Sequence, residues 1–394
     1  MRPASHNLLA LREQLNAEER AWLDRTGALP AELRARLGAD LRAHLAGCIA
    51  CIPAPLVRAQ LADPRPGRVH GAFWQGSLLC ADLSGFTALA EHLSVLGRQG
   101  AEELSIVVSQ LFDALLAEVH RRQGTLLKFG GDALTAFFDD AQLGPQHAAA
   151  AAAAALAMQQ RMATFASLQT RAGSFTLRLR VAVHSGRVFA AELGDASHIE
   201  LLITGPEVNR VAMAQELAEP GQVLVSDQTA ALIPGVTLRP ARGGFHAIQA
   251  LPEPDLPPPL PAPQPASGPD DLATLARLAE QLAALRPYLV RGLPRRFLSA
   301  AASGPGEFRP VSVLFANVQD FSPLLATLGD APDTAAAIVN AYYQRAQAVV
   351  HRYDGIVNKL DLATRGDKLM ALFGAPARPR GRPDPRGALR AGAA

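Results

Sequence analysis

Short apolar runs punctuated by glycine and aspartate define the stretch from residue 77 to residue 138. Ser77-Leu78-Leu79-Cys80-Ala81 stops at Asp82 and turns through Leu83-Ser84-Gly85-Phe86-Thr87. Further on, Thr125-Leu126-Leu127-Lys128-Phe129 is divided from Ala133-Leu134-Thr135-Ala136-Phe137-Phe138 by Gly130, Gly131 and Asp132. Runs of this length with these flanks read as buried strands, and Gly-Gly between two of them as a tight hairpin. Residues 88–123 space their apolar positions for a helix, broken at 97–100, so the pattern predicts strand, two helices, hairpin. It puts Asp82 just past a strand end and Asp132 just past a hairpin tip. If the second hairpin strand lies antiparallel beside the first strand, the two carboxylates meet.

Residues 1–70 read as helical, with apolar residues three and four apart over 8–23 and 31–46. A break at Pro53 and Pro55 precedes another short helix, which Asp63-Pro64-Arg65-Pro66-Gly67 ends. A first compact domain is expected over 71–250. After the hairpin it should hold a helix (146–165), a strand pair (175–183 and 187–192), a short apolar piece (201–203), a helix (206–217) and a last strand (222–225). Residues 251–270 follow as a linker, since nine prolines between 251 and 269 can neither continue a helix nor donate to a sheet. Residues 271–306 form a second helical lead-in.

The region 307–394 repeats what came before. Val311 to Phe321 matches the first strand and turn with Asn317 in the place of Asp82, and Gly366 to Phe373 matches Gly131 to Phe138 with Asp367 in the place of Asp132. Both positions lie 235 residues beyond their counterparts. His120, Gly124 and Lys128 recur as His351, Gly355 and Lys359 at an offset of 231, so the second copy has a shorter helical region and a hairpin four residues longer. Two related domains are expected, paired with each other. The second covers only the N-terminal part of the first, its next helix beginning near 386–394.

Composition narrows the function classes. A formal net charge of +2 on 394 residues supports neither a nucleic-acid nor an anionic-membrane partner. No signal-peptide core stands at residues 1–14, and the alanine-rich run 148–158 is too short and too weakly apolar to span a bilayer, so a cytoplasmic location is the default expectation. Cys48, Cys51 and Cys80 cannot build a disulfide framework. Cys48-Ile49-Ala50-Cys51 lacks a second pair to complete a zinc site, and reads as two helix-borne thiols.

Two carboxylates at a strand end and a hairpin tip suit magnesium, which prefers oxygen ligands and bridges to substrate phosphates. The amides of Ser84 to Thr87, where a turn meets a helix N-terminus, suit a phosphate. Taken singly, Asp82 as a helix cap and Asp132 as a turn residue are the plainer assignments. It is the pairing, repeated as a unit, that favours the metal.

These motifs resemble the class III nucleotidyl cyclases. Leu79-Cys80-Ala81-Asp82-Leu83-Ser84-Gly85-Phe86-Thr87 is similar to that family's first metal motif and Lys128-Phe129-Gly130-Gly131-Asp132-Ala133-Leu134 to its second. The tandem arrangement, the lead-ins and Phe373-Gly374-Ala375-Pro376 most resemble the soluble adenylyl cyclase branch and its bacterial relatives. The resemblance implies an α+β fold of tandem ferredoxin-like βααββαββ domains, the second truncated, paired head to tail with the active site between them. It also implies conversion of ATP to cyclic AMP and pyrophosphate through attack of the ribose 3′ hydroxyl on the α-phosphate, with two Mg2+ ions (Mn2+ as an alternative).

Carried over residue by residue, the resemblance assigns metal ligation to Asp82, Leu83 and Asp132, and phosphate contact to Gly85, Phe86 and Thr87. Lys128 and Lys359 stand where a lysine accompanies ATP and a glutamate GTP, Lys359 facing the competent site. Asn209 matches the partner-side asparagine, but Met213 replaces the expected arginine and Leu202 the purine-reading residue. Asn317 is a poor ligand, so one site is left competent and the other is regulatory or vestigial. His184 and His198 read as structural or surface. An inactive nucleotide-binding homologue and a guanylate cyclase are the alternatives, and a homo-oligomer is possible. A diguanylate cyclase fits less well, because Ala133 rather than an acidic residue follows Asp132.

Overall fold

The computed structural model describes residues 7–289, 310–318, 331–363 and 366–374. The expected helix over 290–306, the turn at Asp320-Phe321 and the helix near 386–394 lie outside them. Four helices open the chain, α1 (Asn7–Glu13), α2 (Ala17–Thr26), α3 (Ala31–Cys51) and α4 (Ala54–Ala62). Next come β1 (His70–Ser84), α5 (Phe86–Ser94), α6 (Arg98–Arg121), β2 (Thr125–Phe129), β3 (Ala133–Asp139), α7 (Asp140–Leu143) and α8 (His147–Arg161). A small hairpin, β4 (Leu168–Thr170) and β5 (Gly173–Phe175), precedes β6 (Arg178–Asp195) and β7 (His198–Thr204). Then follow α9 (Pro206–Leu217), β8 (Val223–Ser226), α10 (Asp227–Ala231), β9 (Thr237–Pro240), β10 (Phe245–Ala250) and α11 (Leu272–Leu285). The second copy supplies β11 (Ser312–Val318), α12 (Pro332–Arg352), β12 (Ile356–Ala363) and β13 (Gly366–Phe373).

The larger sheet runs β2-β3-β1-β6-β8-β10-β9, with β7 paired to β6. Its centre is β1, antiparallel to β3 from Gly76↔Asp139 to Asp82↔Ala133 and to β6 from His70↔Glu192 to Ser84↔Arg178. The succession β1, α5 and α6, β2 and β3, α8, β6 and β7 is the βααββαββ order of an α+β fold. Alternation along β1 separates two cores. Leu79, Ala81 and Leu83 are buried with Leu93, Leu111 and Met158 on the side of α5, α6 and α8. Leu78 is buried on the other side with Phe137, Ala182, Val211 and Ala214, under α9. The alanines 148–155 are all buried, their short side chains letting α8 lie close against the sheet.

Two expectations are corrected, and two are filled in. The first strand does not stop before Asp82 but runs to Ser84, because the β6 ladder continues beside it to the end. The strand pair expected over 175–192 is one strand, β6, with Gly186 inside it rather than at a turn; a Cβ there would lie 2.9 Å from Glu207 Cγ, so glycine makes room for α9. The proline-rich stretch, expected as a semi-rigid linker, is fastened to the first copy and to α3. Leu251 and Leu256 pack on the helix-side core, Gln123 Nε2 donates to the Pro257 carbonyl at 2.6 Å, and Asp270 pairs with Arg42 at 2.7 Å. The two helical lead-ins pack on one another. Leu37, Leu41 and Leu45 of α3 share a core with Leu275, Leu278 and Leu282 of α11, and the Tyr288 hydroxyl joins that bundle to Glu192 of β6.

The second copy repeats the first in register. Asn317 pairs with Lys368 as Asp82 pairs with Ala133, and the β12–β13 ladder skips a residue between Val357 and Lys359 where the β2–β3 ladder skips one between Leu126 and Lys128. Gln123 and Asp354 both adopt positive φ, at 62° and 59°. The extra hairpin residues lengthen the ladder beyond Leu360 through Ala363↔Gly366. The copies meet along α12, whose Ala335, Ala336, Val339 and Tyr343 are buried with Phe189, Ala191 and Leu202 of the first. At this seam Asn340 Oδ1 accepts the Gly194 N–H at 2.6 Å, Gln344 Nε2 donates to the Gly194 carbonyl at 2.9 Å, and Asp333 accepts the Gly71 N–H at 3.1 Å.

One buried charge fastens α6 to α8. Glu118, 1% exposed, accepts hydrogen bonds from Arg121, Arg122 and Arg161. Burial alone would raise its pKa, but the bonds from Arg161 and Arg122 outweigh it and hold the carboxyl below its ordinary value. Its contribution is therefore present above the unfolded pKa and lost as pH falls through the lower folded one. Urea unfolding at pH 7 should show Glu118→Gln less stable by about 2 kcal/mol, the scale of a hydrogen bond to a charged group. The difference should shrink as pH drops below about 4.

Candidate functional site

The site is assembled at one end of β1. Asp82 lies on the strand face of Leu78 and Cys80, toward α9, and its main-chain neighbour across the ladder is Ala133, immediately after Asp132. The hairpin tip carries Gly131 at φ 79°, and the Gly130 N–H donates to the Ala133 carbonyl at 2.7 Å. Asp82 is half-buried and its pKa is raised, first by burial and then by the Asp132 charge; Arg180 and a hydrogen bond from Gln215 oppose the rise. The two carboxylates thus act on one another, as the strand and hairpin pattern anticipates.

Leu83 turns its side chain into the helix-side core, 4% exposed, so its backbone carbonyl is what it can offer a cation. Gly85 begins α5 with φ 94°, a conformation open to glycine, and a Cβ there would lie 2.6 Å from the Thr176 carbonyl oxygen. No side chain caps α5, so the amides of its first turn, Phe86 and Thr87 among them, have no side-chain acceptor from a cap residue. Phe86 packs on the core while Thr87 is exposed.

The second copy reaches this end of the sheet through β12. Lys359 Nζ lies 4.0 Å from where a Cβ on Gly130 would stand. Lys128, its counterpart in the first copy, instead acts on Cys80, whose thiol is pushed up to about 11 by burial against the opposing Thr135 hydrogen bond and Lys128 charge. Asn209 is half-buried on α9 with Met213 exposed one turn on, while Leu202 is fully buried against α12 residues. Asn317 is exposed and pairs with Lys368 across its ladder. The structure therefore brings together Asp82, Leu83, Asp132 and Gly85 to Thr87 at one end of β1, with Lys359 reaching the same hairpin.

Two neighbours of Asp82 were not singled out from sequence. Arg180 is its partner across the β1–β6 ladder, and Gln215 comes from α9. The signal for Arg180 is a charge between Leu179 and Val181 on an interior strand; for Gln215 it is a polar residue in an apolar helical stripe. His184 is structural, its Nδ1 2.7 Å from Ser226 Oγ and its Nε2 bonded to Glu207. Burial lowers its pKa against the pull of Glu207. His198 is buried as well, not at the surface. Among the described residues no three Cys, His, Asp or Glu side chains cluster as a metal cage, Cys48 and Cys51 included. A pair of carboxylates with a backbone carbonyl fits magnesium, which keeps waters and substrate oxygens in its shell. The donors also fit on charge, since a cation would relieve the repulsion that raises the Asp82 pKa.

Residues 72–245 match the family described as the Adenylate and Guanylate cyclase catalytic domain. Human adenylate cyclase type 10 is 22% identical over 338 residues, 79% of this chain, and the chain spans about one fifth (20%) of that relative's length. Adenylate cyclase 1 of Rhizobium meliloti is 27% identical over 158 residues, 40% of this chain and 23% of the relative. Among solved structures, the adenylyl cyclase CyaB from P. aeruginosa has a TM-score of 0.40 at 24% identity, covering 46% of this chain and 98% of its own. The guanylate cyclase domain of RhGC from Catenaria anguillulae, in complex with GTP, has a TM-score of 0.39 at 21% identity, covering 46% and 100%.

The electrostatics are testable without a substrate. Carboxyl NMR titration should show the Asp82 midpoint falling in Asp132→Asn, because a repelling charge is removed, and rising further in Arg180→Met, because a supporting one is lost.

Proposed function

We propose that this chain, whose residues 72–245 match the adenylate and guanylate cyclase catalytic-domain family, converts ATP to cyclic AMP and pyrophosphate at the seam between its two copies. Adenylate cyclases among its relatives support ATP, as do Lys128 and Lys359 in place of an acidic residue. The reading rests on one observation above the rest: Asp82 and Asp132 sit together beside the uncapped start of α5, and Lys359 of the second copy reaches the same hairpin.

In the proposed reaction the ribose 3′ oxygen forms a bond to the α-phosphorus, the bond from that phosphorus to the bridging oxygen breaks, pyrophosphate leaves, and the hydroxyl proton passes to solvent. Asp82, Asp132 and the Leu83 carbonyl would hold two Mg2+ ions, with Mn2+ as an alternative, whose chemistry is to acidify a bound hydroxyl and offset phosphate charge. The amides at Phe86 and Thr87 bind phosphate oxygens through the helix N-terminus. Arg180 adds a fixed positive charge beside Asp82, which favours the ionised carboxylate before ligand arrives. Lys359 orients the base from across the seam. We place this activity in intracellular signalling in the cytoplasm, where ATP is at hand; among the described residues no helix is long and apolar enough to cross a membrane.

A second reading is an inactive nucleotide-binding homologue, favoured by Asn317, Leu202 and Met213. Guanylate cyclase activity is a third. Incubating the purified chain with ATP or GTP and Mg2+ or Mn2+, and identifying product by mass spectrometry, separates the three. Cyclic AMP is expected from ATP, reduced at least about a hundredfold in Asp82→Ala, the scale of losing a group central to transition-state stabilisation. Lys359→Ala should raise KM for ATP. Nucleotide binding without product would favour the second reading, and cyclic GMP the third.

A further inference from the structure

The acidic pair depends on a hairpin whose tip has little support of its own. Strand β2 lies at the edge of the sheet, held by β3 on one side, and its ladder skips a residue between Leu126 and Lys128 before ending at Phe129. Beyond it come Gly130, Gly131 and Asp132. The two glycines bring no side chain to pack and a permissive backbone, and a Cβ on Gly131 would meet no described atom within 4 Å. The bond from the Gly130 N–H to the Ala133 carbonyl closes the tip on itself without tying it to the helices. Phe129 is thus the last side chain that can anchor the tip before Asp132.

Its ring is placed to do so. Phe129 pairs with Leu134 across the ladder, and opposite residues share a face, so it stands on the helix side, where Leu134 is buried. There it meets Phe112 of α6 edge to face, the ring centroids 4.8 Å apart and the planes at 68°. Phe112 in turn packs on the core that holds Leu111 and Leu115. The repeat carries the same pair of positions: at the offset of 231, Phe112 and Phe129 recur as Tyr343 and Leu360, both buried in one cluster at 0% and 2% exposure. Phe129 is 43% exposed, so the directed contact between the rings, rather than full burial, is what fixes it.

We infer that Phe129 is a positioning residue for Asp132: docked edge to face on Phe112, its ring fixes the end of β2 against α6 and keeps the Gly-Gly-Asp tip beside Asp82. This rests on the cyclase reading, because the placement of Asp132 matters to a cation only if the two carboxylates share it. Without the ring the tip swings about two glycines, and the carboxylates no longer converge. The ring supplies no ligand and acts through Asp132 alone.

The experiment measures Mn2+ binding to the full chain by electron paramagnetic resonance without nucleotide, with amide hydrogen exchange across the hairpin and the melting temperature recorded on each sample. Phe129→Ala should weaken Mn2+ binding on the order of tenfold and speed exchange at the Gly130 amide, while exchange in β1 and the melting transition are kept. Phe129→Tyr keeps the ring and should behave as the parent. Phe112→Leu removes the other ring, and should reproduce the loss and add nothing to it in the double variant. Phe129→Leu, apolar but without the ring, serves if the alanine form does not fold. Asp132→Asn is the control for the site itself and should abolish binding. Unchanged Mn2+ affinity in a folded Phe129→Ala or Phe129→Leu, with binding lost in Asp132→Asn, overturns the positioning role and leaves the metal assignment standing. An equal loss in Phe129→Tyr, or additive losses in the double variant, overturns it as well. Unchanged affinity in Asp132→Asn overturns the metal assignment, and the role of Phe129 with it.

Discussion

The ladder between β1 and β6 is the constraint on which the rest depends. It runs unbroken from His70↔Glu192 to Ser84↔Arg178, and β3 occupies the other edge of β1 over its second half. With both edges taken, β1 cannot slip by one residue without exchanging its two faces, which would drive Leu79 and Leu83 out of one core and Leu78 out of the other. The same ladder delivers Asp82 to the start of β3 and sets Arg180 beside it. The position of the acidic pair is therefore a by-product of strand register enforced by packing on both faces.

The seam between the copies is built on different physics. Its centre is apolar, with Tyr343 and Val339 buried against Phe189 and Leu202, but its alignment comes from hydrogen bonds to main chain. Asn340 and Gln344 take both polar groups of Gly194, and Asp333 takes the Gly71 amide. Bonds to backbone at two glycines leave little freedom for sliding. Through this alignment Lys359 comes to the hairpin of the first copy, and α9 is caught between its own sheet and β12. The proline-rich strap and the α3–α11 bundle lie outside the seam, tied to the first copy by Gln123 and by Glu192 respectively.

Much of this was legible in the chain. The equal offset of Asn317 from Asp82 and of Asp367 from Asp132 reappears as identical strand pairing, and the different offset of Lys359 from Lys128 reappears as a longer hairpin. Such features are local, since glycine positions and short apolar runs specify turns and strands from within a few residues. The errors have a common cause. Gly186 was read as a turn because a glycine inside a strand is ambiguous until its neighbour, here Glu207, is known. What the strap and the lead-ins pack against was not legible either, because proline content describes stiffness and not what lies beneath it, and an amphipathic stripe does not name its partner.

By itself the sequence determined the repeated unit, the order of its strands and helices, and the two aspartates that end facing one another, because each follows from patterns within a single element or hairpin. Only the tertiary structure decided which other groups join them. Arg180, Gln215 and Lys359 come from a distant strand, a helix on the opposite core and the second copy. Their meeting depends on the packing of whole elements across two faces of a sheet, a property that no local pattern of residues carries.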